Sequence, residues 1–266
     1  MSTVQAVEPR GSVVAFGAGA AVAVLGGLIG LGGAEFRLPL LLMFGLAVLP
    51  AIIVNKAISL VVVASALLFR GTAVPMVSVA AQWPVIVNLL LGSLAGAWIA
   101  AGWATRWRGA TLQRVVALLL VLIAAVLLLH PGRAGAAPAM GGLALWVAGV
   151  MAGFCIGIVA SLLGVAGGEL LIPTLVLLFG IDLKLAGSVS LAISLPTMLA
   201  GFARYSRDSS FEVLRTHGGF VLAMVAGSVL GAALGGLLLG SVPVALLLPA
   251  LAAILAVSAI RMWRHR

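Results

Sequence analysis

Charge is scarce in this chain, and negative charge is scarcest. Only 8% of the 266 residues are charged, and six acids face fifteen bases, a net charge of +9. A water-soluble domain carries about a quarter charged residues, so a soluble globular fold is excluded. Nor is there a polar stretch long enough to build a separate soluble domain. Cysteine is reduced to Cys155, which rules out an intrachain disulfide and a cysteine metal cluster. Phe154 and Ile156 flank it, so it reads as a buried, inert thiol. His130, His217 and His265 fall at the ends of apolar runs, too dispersed for a metal site. There is no zinc-protease motif, no P-loop and no convincing nucleophile–base pair. These absences speak against an enzyme and call for no metal or cofactor.

What remains is 64% hydrophobic. Apolar runs of membrane-crossing length recur along the chain, so the fold class is all-α, a polytopic membrane helix bundle whose partner is the lipid bilayer. In such a protein the excess of arginine reads as topology signals at helix ends, and nucleic acid is not expected as a partner. The organisation expected is an N-terminal tail over 1–12, a first transmembrane repeat over 13–130, a linker over 131–142, a second repeat over 143–262 and a C-terminal tail over 263–266. The first apolar run, from Val13 to about Gly30, is a retained helix and not a cleaved signal, because it runs on into the repeat.

The two halves share a motif. Gly30-Leu31-Gly32-Gly33-Ala34-Glu35-Phe36-Arg37-Leu38-Pro39 returns as Gly164-Val165-Ala166-Gly167-Gly168-Glu169-Leu170-Leu171-Ile172-Pro173, with Gly30, Gly33, Glu35 and Pro39 each repeated 134 positions on (164 − 30; 173 − 39). Glycine pairs weaken a helix and permit it to break. A broken backbone inside a membrane is tolerated only where protein buries it or where it lines a cavity. Two breaks in matching positions therefore point to a transport site between repeats, with Gly30, Pro39, Gly164 and Pro173 as hinge residues and Gly32, Gly33, Gly167 and Gly168 beside the substrate.

The segments Glu35–Leu46 and Leu170–Ile181 are short for a straight span, which needs about 20 residues. If each crosses, there are ten crossings and the two halves are inverted. If each dips in and returns, there are eight and the halves are parallel. The ten-crossing arrangement gathers Arg10, Arg106, Arg108, Arg114, Arg204, Arg207, Arg215, Arg261, Arg264 and Arg266 on one side, the cleaner positive-inside bias. Both arrangements place the two termini on the same, cytoplasmic, side of a bacterial-type inner membrane.

Charged and polar residues at bilayer depth are costly and need a partner, water or a role. Glu35 and Glu169 can carry a coupling proton, or pair with Arg37 or Lys56 and hold the broken backbone. Asn55, Lys56 and Ser59 lie on one apolar helix, and Ser188, Ser190 and Ser194 on its counterpart, where the offset has grown to 135 (194 − 59). Together they can bind a small anionic substrate. Leu171 replaces Arg37, and Leu191 replaces Lys56, so the first half carries the basic charge. Arg70 and Arg204 end corresponding helices and read as interfacial anchors. Gly92, Gly96 and Ala100, like Gly227, Gly231 and Gly235, form small-residue stripes suited to close packing within a bundle. A homodimer is left open as a partner.

With its two glycine breaks, each followed by a proline-bearing segment and a polar patch, the chain resembles the TauE/SafE sulfite-exporter family, also called the toluene sulfonate uptake permeases. The resemblance covers nearly the whole chain. It implies a secondary carrier for sulfite, sulfoacetate or other organosulfonates, driven by an ion gradient. The chain departs from a plain glycine run at Ala34-Glu35 and at Ala166.

Overall fold

The computed structural model describes residues 9–31, 33–46, 48–103, 121, 141–205, 212–243, 245–247, 249–250, 252–253 and 256. Gly32 is outside this set, as are the side chains of Glu35 and Pro39. The expected fifth span and most of the linker and of the last span also fall outside it.

The described residues are helical. The first half contains α1 (Pro9–Ile29), α2 (Ala34–Met43), α3 (Val48–Arg70), α4 (Met76–Ala81) and α5 (Trp83–Trp103). The second contains α6 (Gly142–Leu163), α7 (Gly168–Leu177), α8 (Leu183–Tyr205), α9 (Val213–Thr216) and α10 (Gly218–Leu238). Helices α1, α3, α5, α6, α8 and α10 are long and apolar enough to cross a membrane. In lipid only a helix satisfies its own backbone in this way. Helix α1 begins at Pro9, inside the stretch expected as a tail. Asp182 starts α8, its Oδ2 accepting from the backbone N–H of Lys184 at 3.0 Å and of Leu185 at 3.4 Å, an N-cap arrangement.

The two halves exchange packing partners. Helix α1 of the first half packs on α10 of the second, and α5 of the first on α6 of the second. The glycine stripes make both seams. A Cβ at Gly227, Gly231 or Gly235 would run into the backbone carbonyls of Phe16, Ala20 and Val24 in turn. At Gly92 and Gly96 it would meet those of Val150 and Phe154. Both stripes are therefore spent inside the chain, as expected for bundle packing.

Helix directions follow from these contacts. Phe44, just before α3, stacks edge-on against Phe220 near the start of α10, and the end of α3 at Phe69 and Arg70 borders Gly236 near the end of α10. So α3 and α10 run the same way. The ascending order Phe16–Gly227, Ala20–Gly231 and Val24–Gly235 makes α1 parallel to α10. Helices α1 and α3 thus point in one direction, and the chain must return between them through α2. In contrast, α3 and its counterpart α8 are antiparallel: Arg70 at the end of α3 meets Lys184 at the start of α8, and Lys56 near the start of α3 meets Gly201 near the end of α8.

The lone cysteine departs from expectation. Cys155 is exposed on the outer face of α6, because Gly153 and Gly157, two residues to either side, turn the opposite face onto α5.

Candidate functional site

At their first and last glycines the two breaks adopt matching backbone angles. Gly30 and Gly164 end their helices at φ 94° and 67°, and Gly33 and Gly167 follow at φ 71° and 77°. These left-handed values suit glycine. In each break the helix closes with a wide turn: Leu31 N–H donates to Gly26 O at 3.0 Å, and Val165 N–H to Ala160 O at 3.1 Å. A third twinned pair, Gly45 and Gly180 at φ 87° and 68°, ends the two short helices. Its offset is already 135 (180 − 45), so the extra residue of the second half lies between Pro173 and Gly180.

Helices α2 and α7 have ten residues each, about 15 Å of rise against a hydrocarbon core of about 30 Å. They are half-helices beginning at the breaks. Gly167 occupies the N-cap of α7 and offers no side chain, and Glu169 sits in the first turn, where a carboxylate suits the helix dipole. Pro173 lies inside α7 and, lacking an N–H, leaves the Glu169 carbonyl outside the helix ladder.

The breaks lie side by side. A Cβ on Gly168 would sit 2.9 Å from Leu31 Cα. Asn55 Nδ2 donates to Ala34 O at 3.0 Å and to Gly164 O at 3.2 Å, so one side chain of α3 ties the first break to the second. Its counterpart Ser190, 135 residues on, donates to Gly30 O at 2.9 Å, and also to Gly187 O at 2.8 Å. Gly30 and Gly164 are themselves counterparts. The chain therefore makes the same cross-half bond twice, once with an amide and once with a hydroxyl.

The other polar residues are distributed unevenly. Arg37 is fully buried, and its Nη1 donates to Ser59 Oγ at 2.9 Å. In the second half Leu171 stands for Arg37, and the matching hydroxyl, Ser194, is buried with no hydrogen-bond partner among the described residues. Ser194→Ala is therefore expected to change stability by under about 0.5 kcal/mol, or to raise it, as measured by thermal unfolding in detergent. Ser188 Oγ accepts from Arg70 Nε at 3.0 Å. Lys56, 1% exposed, reaches across to Gly201 of α8. Thus Asn55, Ser59, Ser188 and Ser190 fasten the fold around the breaks, while Lys56 brings a buried ammonium to the junction of the halves.

Arg70 is a correction. It is 1% exposed, not an interfacial anchor. Nη1 donates to Gly27 O and Leu28 O at 2.8 Å each, and Nη2 to Lys184 O at 2.8 Å. The last carbonyls of α1 have no intrahelical donors, and inside a membrane they need a substitute. Arg70 supplies it, because α3 ends beside α1. Arg204, by contrast, is partly exposed and stacks over Trp98 at 5.1 Å, as suits an anchoring role.

Sequence reasoning also passed over Ser93 and Thr197, whose hydroxyls bond at 2.7 Å between α5 and α8. The signal was present: Ser93 recurs as Ser228 (228 − 93 = 135). Val62 stands for Thr197 there, and Ser228 is buried without a partner among the described residues. Among the described residues no three of His, Cys, Asp or Glu converge as a metal site.

No curated protein and no solved structure matches the chain. The family model described as sulfite exporter TauE/SafE matches residues 15–262, a stretch that includes both breaks, both half-helices and the polar patches of α3 and α8. The chain therefore belongs to the sulfite exporter TauE/SafE family of multi-pass membrane transporters for sulfur anions, and is not an enzyme.

Proposed function

We propose that this protein is a secondary active transporter that exports small sulfur oxyanions, such as sulfite, sulfoacetate or other organosulfonates, across the cytoplasmic membrane by alternating access. The observation that carries this reading is the junction of the two breaks. Backbone freed from helices is held by Asn55 and Ser190 across the halves, next to buried Lys56. Broken helices meeting between repeats are the usual ground plan of a carrier's central site.

The antiparallel pair α3 and α8 supports inverted repeats. So does the parallel pair α1 and α3, because a chain that returns through α2 makes an odd count of passes per half. Both termini then face the cytoplasm. In this scheme the backbone at Gly33, Gly167 and Gly168 lies beside the substrate, and Lys56 supplies the counter-charge. Gly30, Gly164 and the prolines flex between inward and outward states. Glu35 or Glu169 carries the coupled proton.

Counterflow in proteoliposomes tests the reading. Labelled sulfite should accumulate against preloaded unlabelled sulfite in vesicles with the wild-type protein. A conductive leak without counterflow would indicate a passive channel. Lys56→Leu is expected to reduce flux by more than about tenfold, since one lost charge-assisted contact is worth about 1.5–3 kcal/mol; unchanged flux would remove Lys56 from the site. Glu169→Gln is expected to abolish the acceleration of flux by an imposed pH gradient. Retained acceleration would leave Glu35 as the proton carrier.

A further inference from the structure

The helices sort by packing into two bodies that cut across the sequence repeat. Helices α1, α2, α3, α9 and α10 pack among themselves, and so do α4, α5, α6, α7 and α8. Each body takes three helices from one half and two from the other, and each repeats the other element by element. Between them, the one extensive contact among the described residues is the antiparallel pair α3 and α8. A seam one helix pair wide, between two well-packed bodies, is the line along which relative motion disturbs the fewest contacts.

Arg70 holds one end of that seam, and its guanidinium is divided between the bodies. Nη1 donates to Gly27 O and Leu28 O of its own body. Nε donates to Ser188 Oγ at 3.0 Å and Nη2 to Lys184 O at 2.8 Å, both in the other body. The backbones close in here too. A Cβ on Gly187 of α8 would come within 2.5 Å of both Arg70 Nη2 and Ile29 O, and one on Gly30 within 2.5 Å of Gly187 O. The other end of the seam is built differently. There Gly164 faces Ile52, the counterpart of Gly187 (187 − 52 = 135), and a Cβ on Gly164 would first meet a side chain, Ile52 Cγ2 at 2.8 Å. Arg70 and Ser188 correspond to Tyr205 and Ile53 (205 − 70 = 135; 188 − 53 = 135), so neither guanidinium nor hydroxyl recurs. Arg204, beside Tyr205, stacks on Trp98 within its own body.

We infer that Arg70 is the latch of an external gate: the two bodies rock against each other along α3 and α8, and the bonds from Arg70 to Ser188 and Lys184 break each time the carrier opens outward. The inference rests on the alternating-access reading above and adds the moving parts to it. In the topology proposed there, α1 ends at the external face, so the clasped end of the seam is the external one. The division of the guanidinium suits a latch. The Nη1 bonds lie within one body and persist, so the cation keeps partners when the seam opens. The Nε and Nη2 bonds are exchanged for bonds to entering water, so their release costs a difference and not the full strength of the bonds. Gly187, with no side chain, lets the gate close.

The test reads the two ends of the seam separately, in full-length protein whose exposed Cys155 is changed to serine. Single thiols are introduced by Ser188→Cys or by Ile52→Cys and labelled with a membrane-impermeant maleimide. The first is labelled from outside in right-side-out vesicles, the second from the cytoplasmic face in inverted vesicles. Arg70→Gln shortens the latch. It is expected to speed labelling of Ser188→Cys about tenfold or more, as for one lost bond to a charged group, without speeding that of Ile52→Cys. Gly187→Ala should act the same way by a different route. It keeps Arg70 and favours the helix, but its methyl wedges between the bodies. A clasp that only holds the fold together predicts that both thiols speed up together, or that neither changes, and either result would overturn the latch. Sulfite counterflow by the wild type is measured alongside. If counterflow is present and the thiols behave in either of those ways, the latch is wrong and the transport reading stands. If counterflow is absent and Ser188→Cys alone responds, the gate stands and the transport reading fails. Should Arg70→Gln not fold, Gly187→Ala decides alone.

Discussion

Arg70→Ala is expected to destabilise the protein by about 3–5 kcal/mol, because it removes several charge-assisted hydrogen bonds from a buried site at once. The guanidinium serves Gly27 O, Leu28 O, Lys184 O and Ser188 Oγ. Alanine would leave three backbone carbonyls without their guanidinium donor, Gly27 O in a buried bond and Leu28 O and Lys184 O in part-buried ones. Arg70→Lys is expected to recover little of this. Its single ammonium is a compact point, whereas the planar fork of arginine reaches two helices on opposite sides. Thermal unfolding of both variants in detergent is the measurement. Melting at the wild-type temperature by either one would show that the clasp carries no net stability.

The second large effect is steric. Gly231→Leu is expected to force α1 and α10 apart and to cost about 3 kcal/mol or more, the upper end of overpacking penalties. The backbone of Ala20 already occupies the place of the new Cβ, and a backbone carbonyl cannot rotate aside as a flexible side chain can. Gly17→Ala is the control. It lies on α1 with nothing within 4 Å of its Cβ position, so the change should be neutral or slightly favourable through helix propensity, by up to about 1 kcal/mol. Equal losses at the two positions would mean that glycine is needed for helix flexibility and not for close approach.

The breaks were legible in the sequence because both depend on local backbone chemistry. Glycines in matching positions of the two halves were enough to anticipate two helix breaks, and Gly30, Gly33, Gly164 and Gly167 take left-handed φ values there. The small-residue stripes were legible for a similar reason, since spacing by four places glycine on one helix face. The work of the polar residues was not legible. Ser190 bonds to a carbonyl 160 positions away, and nothing local to Ser190 tells a hydroxyl that binds a ligand from one that binds backbone. Arg70 misled because arginine at the end of an apolar helix ordinarily reaches for lipid headgroups. Here the end of α3 lies against α1 and α8, and that follows only from the packing. Cys155 misled because apolar neighbours in a membrane helix say nothing about which face meets lipid.

The exchanged packing has a consequence for how the chain is made. Helix α1 is complete at residue 29, but its partner α10 is complete only at residue 238, 209 residues later (238 − 29). At about 5–20 residues per second, that is roughly ten to forty seconds of translation during which the α1 surface that Gly231 will cover faces lipid or the insertion machinery. The first half cannot mature alone. Biogenesis of this protein is therefore a waiting problem, and slowing the ribosome between the halves should expose the nascent membrane protein to quality-control proteolysis in proportion to the delay.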